Sequence, residues 1–155
     1  MPKKSAGILL FRLTKNKPEV MLAHPGGPFW KKKEENAWSV PKGEFEDDET
    51  PLDAAKREFH EETNLTLKNQ NFFQLQPVKR KDGKTVIAFA LEEDIDITEI
   101  KSNNFSMEWP PKSGKLSEFP EIDRCEWFDL QTARLKINNY QIPLIDELET
   151  IICKL

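Results

Sequence analysis

Hydrophobic positions along the chain come in short bursts separated by polar breaks. Residues 5–13 and 19–23 are rich in Ile, Leu, Val and Phe, and the polar stretch Thr14-Lys15-Asn16-Lys17-Pro18 lies between them. That pattern predicts two strands joined by a turn. His24-Pro25-Gly26-Gly27-Pro28 interrupts regular structure and opens a loop that carries Phe29-Trp30-Lys31-Lys32-Lys33. Residues 37–40 form a brief apolar strand candidate, which Pro41-Lys42-Gly43 ends before an acidic stretch over 44–49.

The next segment is helical by its punctuation. Thr50, Pro51 and Asp53 supply a capping hydroxyl, a preset backbone angle and an acidic side chain at the third helical position. The helix should run to about Thr63, with Asn64 taking the left-handed conformation that ends it. Further on, residues 72–80 and 84–91 read as two strands joined through Asp82-Gly83, a hairpin dipeptide. From Glu92 to Glu121 the chain is acidic and then rich in Pro, Ser and Asn, with no sustained period, and is read as mostly loop. Residues 124–128 read as a strand, Asp129 as the cap of a short helix to Leu135, and residues 142–152 show helical apolar spacing. Strands alternating with helices imply a mixed α+β layered fold.

The chain's 155 residues fit one domain, taken as 1–155. Its 37% hydrophobic residues suffice for a core. A net charge of -4 lacks the basic footprint of a protein that binds polymeric nucleic acid. An anionic small molecule stays compatible, because a bound divalent cation reverses the local sign of an acidic site. The apolar run after Lys3 and Lys4 is too short for a signal peptide or a membrane span, so a cytoplasmic location with no membrane partner is expected. Cys125 and Cys153 match neither a metal framework nor a disulfide framework and read as buried free thiols. Oligomeric state leaves no trace in the sequence.

The chemistry concentrates in Arg57-Glu58-Phe59-His60-Glu61-Glu62. On a helix Glu58, Glu61 and Glu62 share one face, beside an apolar stripe of Leu52, Ala55 and Phe59 that can pack on a sheet. Like charges at this spacing repel, and acidic groups in the last turns oppose the helix dipole. A hard divalent cation would offset that cost. A solvated acidic face, with Arg57 pairing to Glu61, is the bland alternative. His24 and His60 have no partner at ligand spacing and are left out of the site.

The flanking residues favour the first reading. Gly43, Glu49, Arg57, Glu58, Phe59, Glu61, Glu62 and Leu65 fall at the spacing of the Nudix box, so residues 43–65 resemble that family's signature. Asn64 stands where the family has Gly, a conservative change at a left-handed position. Trp38-Ser39-Val40-Pro41-Lys42-Gly43 is similar to the lead-in of members acting on dinucleoside polyphosphates and diphosphoinositol phosphates. Glu121, six residues before Trp127, resembles a late glutamate found in many members.

The resemblance implies a Nudix-like α/β/α sandwich with a mixed sheet and the carboxylate helix packed on it. It also implies Mg²⁺ or Mn²⁺ held by Glu58, Glu61, Glu62 and the Gly43 carbonyl, and water attack at phosphorus in a nucleoside di- or polyphosphate derivative. The catalytic set it implies is Glu58, Glu61, Glu121 and Arg57. Glu121 is implied as a further metal ligand or as the general base, with Glu58 the rival base and Glu118 the nearest rival of Glu121, while Arg57 and Glu49 hold loop and helix in register. Lys42, Trp30 and Lys33 are the substrate-contact candidates, as cations for phosphate and an aromatic face for a base; Phe29 and Trp109 offer further aromatic faces. The expected partner is a small nucleotide. A Nudix-like module that binds nucleotide without catalysis is the alternative.

Overall fold

The computed structural model describes residues 3–155. Strand β1 (Lys4–Thr14) turns through Lys15 and Asn16, at φ 53° and 66°, into β2 (Lys17–Pro25). Two positive φ values in a two-residue turn match the twist of the flanking strands. The sheet continues with β3 (Lys42–Glu44), β4 (Phe73–Gln74), β5 (Val78–Lys79), β6 (Thr85–Glu92) and β9 (Ile122–Asp129). Its main order is β4-β6-β1-β2-β9, with β3 also paired to β1 and β5 to β6. Only β1 and β6 run parallel; the other pairs are antiparallel. The sheet is therefore mixed.

Alternation along the central strands builds two cores. Ala6, Ile8 and Leu10 of β1, Met21 and Ala23 of β2, and Phe89 and Leu91 of β6 face helix α1 (Pro51–Thr63) through Ala54, Ala55 and Phe59. Leu9, Phe11, Val20, Leu22, Val86, Ala88 and Ala90 point the other way, toward α2 (Leu130–Lys136) and α3 (Ile142–Ile152). A strand buried on both faces reads as a continuous apolar run, which is what 6–11 shows. Helices on both faces make the α/β/α sandwich that the sequence resemblance implied. No helix among the described residues is long and apolar enough to cross a membrane.

Four readings change. Ala37, Trp38 and Val40 are buried, but residues 37–40 form only isolated bridges, Ala23 with Ser39 and Trp38 with Ile137, and the strand is instead the next segment, β3, which includes Lys42 and Gly43 of the expected strand end. Residues 72–80 break into β4 and β5 instead of one strand. The stretch 92–121 holds a hairpin of β7 (Asn104–Glu108) and β8 (Leu116–Pro120), paired only with each other. Its inner and outer positions alternate merely between half-buried and exposed, so no apolar period marks it. Cys125 is buried as expected, whereas Cys153, just past the last turn of α3, is exposed.

Candidate active site

Helix α1 begins as its residues dictate: the Thr50 hydroxyl accepts from the Asp53 amide at 3.2 Å, and Pro51 follows where no amide donor is needed. It ends on Asn64 at φ 60°, whose amide donates to the His60 carbonyl at 2.7 Å. With both ends set and Phe59 fully packed on the sheet, the glutamates are carried on the outer flank toward β3. A Cβ on Gly43 would overlap the Glu58 carboxylate, so the bare backbone of β3 is what lets that carboxylate lie there.

Arg57 gathers the acids around it. Its Nε and Nη2 grip both oxygens of Glu49 at 2.8 and 2.7 Å, and its Nη1 reaches Glu58 at 2.7 Å and Glu61 at 3.2 Å. The two-pronged bond to Glu49 holds that carboxyl below its ordinary range and the guanidinium well above its own. Glu58 behaves oppositely. Burial raises its pKa and the nearby Glu61 and Glu121 add to that, although Arg57 pulls it down. Its side chain is only 12% exposed, against 45% for Glu61.

Glu62, one turn on from Glu58, is pushed up to about 8, first by burial and then by the charges of Glu121 and Glu58. The Glu121 carboxyl is within hydrogen-bonding reach of it. Backbone contacts hold Glu121 at the β8–β9 junction: its amide donates to Asn103 at 2.8 Å, and its carbonyl accepts from Gly26 at 2.9 Å. A side chain on Gly26 would collide with the Pro120 carbonyl, so that approach needs glycine. Glu118 sits exposed on β8 opposite Ser106, away from this junction.

Glu62 and Glu121 line a cleft of about 590 Å³. Lys42, Arg80, Lys81, Tyr140 and Trp30 also line it. Lys42 is half-buried, and its pKa is lowered by burial and by Lys84 and Arg80, with Glu62 opposing the shift. The cleft wall thus carries both acids, Glu62 and Glu121, and cations, Lys42, Arg80 and Lys81.

The family model described as NUDIX domain matches residues 1–148. The chain belongs to the Nudix family. Among curated relatives it is 29% identical over 109 residues to an RNA pyrophosphohydrolase of Bartonella henselae, covering 61% of this chain and 58% of that protein. It is 28% identical over 110 residues to Phosphatase NudJ of Shigella boydii, covering 71% of this chain and 62% of that protein. The matched segment is therefore less than two thirds of either relative. Among solved structures, a C. elegans Ap4A hydrolase binary complex superposes with TM-score 0.65 at 20% identity, over 99% of both chains. The NUDIX domain of Shewanella oneidensis NrtR complexed with ADP ribose gives 0.64 at 14% identity, over 98% of this chain and 89% of that one. These likenesses bear on the Nudix fold.

Within this Nudix domain the structure brings Glu58, Glu62 and Glu121 together, leaves Glu61 toward solvent on Arg57, and sets Gly43 directly beneath Glu58. Lys42 and Trp30 line the cleft, while the Lys33 ammonium lies over the Trp30 ring at 5.1 Å and is not part of the lining. Phe29 stacks edge-on against Trp109, fastening the β7–β8 hairpin to the loop. His24 is fully buried, with Nδ1 at 2.9 Å from Asp123 and Nε2 at 2.7 Å from the Lys33 carbonyl, and so anchors that loop. Sequence reasoning missed Arg80, Lys81 and Tyr140. Arg80 ends a strand candidate, Lys81 follows it and Tyr140 precedes a helix, so nothing local distinguishes them from surface residues.

Proposed function

We propose that this chain is a divalent-cation-dependent hydrolase that cleaves a phosphoanhydride bond in a nucleoside di- or polyphosphate derivative by water attack at phosphorus. The observation that carries the reading is the meeting of Glu58, Glu62 and Glu121, the last two of which line a cleft shared with Lys42, Arg80 and Lys81. Carboxylates this close cannot all ionise without a counter-charge, and an oxygen-only donor set suits Mg²⁺ or Mn²⁺. Among the described residues no three acidic, His or Cys side chains are grouped tightly enough to enclose an ion alone. A cation here would complete its shell with water, the Gly43 carbonyl and phosphate oxygens, which is the habit of Mg²⁺. Glu58, Glu61 and Glu62 would hold it, with Glu121 a further candidate ligand against Glu62, and it would supply charge neutralisation and an acidified water.

The chain's own groups do the rest. Glu121, fixed by its backbone contacts, and Glu58, pressed against Gly43, are the two candidates to take the proton of the attacking water. Arg57 positions Glu58 through Glu49 and acts indirectly. Lys42 lines the cleft as a cation for phosphate, and Trp30 lines it with an aromatic ring. Similarity to an RNA pyrophosphohydrolase, the phosphatase NudJ and an Ap4A hydrolase supports a phosphate-ester or anhydride substrate. The test is a nucleotide panel incubated with Mg²⁺ or Mn²⁺, with products identified. Turnover of a nucleoside di- or polyphosphate that stops in excess chelator is expected. Tight nucleotide binding with no product from any member of the panel would instead identify a binding module.

A further inference from the structure

The imidazole of His24, fully buried in β2, makes more hydrogen bonds than a neutral ring can donate. Its Nδ1 lies 2.9 and 3.1 Å from the two Asp123 carboxylate oxygens, and its Nε2 lies 2.7 Å from the Lys33 carbonyl. A carboxylate and a backbone carbonyl only accept, so the ring donates through both nitrogens, as an imidazolium. Its orientation is fixed as well, because it meets the Trp38 indole edge-to-face with ring centroids 4.9 Å apart. The Glu34 carboxylate lies 3.6 Å from Nε2 and is held in turn by Arg124 at 2.7 Å and Lys136 at 3.6 Å. Arg124 and Glu34 are each more than 40% exposed, so their pairing contributes little beside a buried, charge-assisted bond. The bond from His24 to Lys33 therefore dominates the attachment of this loop.

From Lys33 a chain of backbone bonds leads to the cleft. The Lys33 amide donates to the Trp30 carbonyl at 2.9 Å, and the Trp30 amide donates to the Gly27 carbonyl at 3.3 Å. At the other end of the loop the Gly26 amide is held on the Glu121 carbonyl at 2.9 Å. Trp30 stands between these two attachments and lines the cleft, yet its side chain is 39% exposed, so its place is set by the backbone more than by burial. We infer that His24 is a positioning residue for the cleft: by donating to Asp123 and to Lys33 at once, it ties the loop that carries Trp30 to the strand that follows Glu121. Trp30 is thereby kept in register with the acidic cluster, and the affinity for whatever stacks on its ring depends on a side chain that touches no substrate. That the stacking group is the base of a nucleotide rests on the proposed function, whereas the attachment of the loop can be tested without any ligand.

Two amide side chains separate the two bonds. A Gln amide nitrogen reaches the place of the His Nε2 and an Asn amide nitrogen that of Nδ1, so His24→Gln keeps the donor to Lys33 and His24→Asn keeps only the donor to Asp123. Lys31, Lys32 and Lys33 are exposed, as is Lys101 outside the loop, so limited trypsin digestion of the full chain reads the loop against a reference site. Relative to Lys101, His24→Asn should speed cleavage at the three loop lysines about tenfold or more, the scale of one lost charge-assisted bond, while His24→Gln stays within about threefold of wild type. A methylene-bridged, non-hydrolysable ATP analogue titrated calorimetrically in Mg²⁺ should bind His24→Asn about tenfold more weakly than wild type. In a Trp30→Ala background the same substitution should cost less than about twofold, because His24 acts through Trp30. Equal effects of Asn and Gln, acceleration at Lys101 matching that in the loop, or an affinity loss that persists without Trp30 would each overturn the positioning role. If the digestion pattern holds but no nucleotide binds or is hydrolysed, the clamp on the loop stands and the nucleotide reading fails. If nucleotides are hydrolysed and His24→Asn leaves the loop as resistant as wild type, the reverse holds.

Discussion

Glu62 has a proton affinity far from that of a free carboxylate, and the sign of its effect on stability follows from that. Unfolded, it titrates near 4.5; folded, burial and the facing Glu121 and Glu58 raise it to about 8. The native state therefore binds the extra proton. Its contribution is fully present below about 4.5 and is lost as pH rises through about 8. In chelator the melting temperature of the wild type should fall across that window, and Glu62→Gln, a neutral shape-matched side chain, should flatten the fall. The same substitution should lower kcat in Mg²⁺. A wild type and variant with superimposable pH–melting profiles would contradict the assignment of Glu62 to a charged cluster. Cys125 gives a second residue-level check. Burial, with Glu62 and Asp123 nearby, pushes its thiol up to about 12, while Cys153 is exposed. A thiol reagent at pH 8 should modify one cysteine of the native protein quickly and the second only after unfolding, which mass spectrometry of the labelled peptides would read.

Elements differ in how much of themselves they disclose before the structure is known. Helix α1 is specified locally, since the Thr50 hydroxyl, Pro51 and the left-handed Asn64 all lie within the segment they delimit. Thr50→Ala should accordingly cost about 1 kcal/mol in chemical denaturation, typical of a lost cap. The β7–β8 hairpin is the opposite case: its strands bury no continuous face, so its Ser, Asn and Pro residues read as loop. Strand β3 is three residues long and exists because β1 offers Ser5, Ala6 and Gly7 as partners, a fact no window around residue 43 contains. The site divides in the same way. The box carboxylates share one helix and were legible, whereas Tyr140 and Arg80 meet only through the fold. The contact between β3 and α1 also yields a test. Gly43→Ala would place a methyl where the Glu58 carboxylate lies, and that carboxylate is the free end of a flexible chain, so it can swing aside. Stability should change by less than about 1 kcal/mol while kcat falls at least tenfold. A fully active Gly43→Ala would show that Glu58 does its work from some other position.

At the scale of the whole molecule, the acidic cluster is assembled from two places. Glu58 and Glu62 come from the helix on one face of the sheet, and Glu121 from the junction where the β7–β8 hairpin returns into β9. In the unfolded chain about sixty residues separate them, so a cation bound across both is a ligand of the folded state alone. Such a ligand stabilises by mass action, about 2.7 kcal/mol at a concentration a hundredfold above its Kd. For a chain of this size that is roughly 5–10 °C in melting temperature. Mg²⁺ or Mn²⁺ added to the chelator-treated wild type should produce a rise of that order at pH 8, where the carboxylates are most in need of a counter-charge. Glu118→Gln should keep the rise, because Glu118 is exposed on β8 and distant from the cluster in its contacts. Glu121→Gln should reduce it and lower kcat well beyond any change in KM, as expected of a group acting mainly in the transition state. The two variants remove the same charge within three residues of each other, so a difference between them cannot come from net charge or general screening. If Glu118→Gln abolishes the metal-induced rise and Glu121→Gln does not, the β8–β9 junction contributes a different glutamate from the one its backbone contacts hold in place.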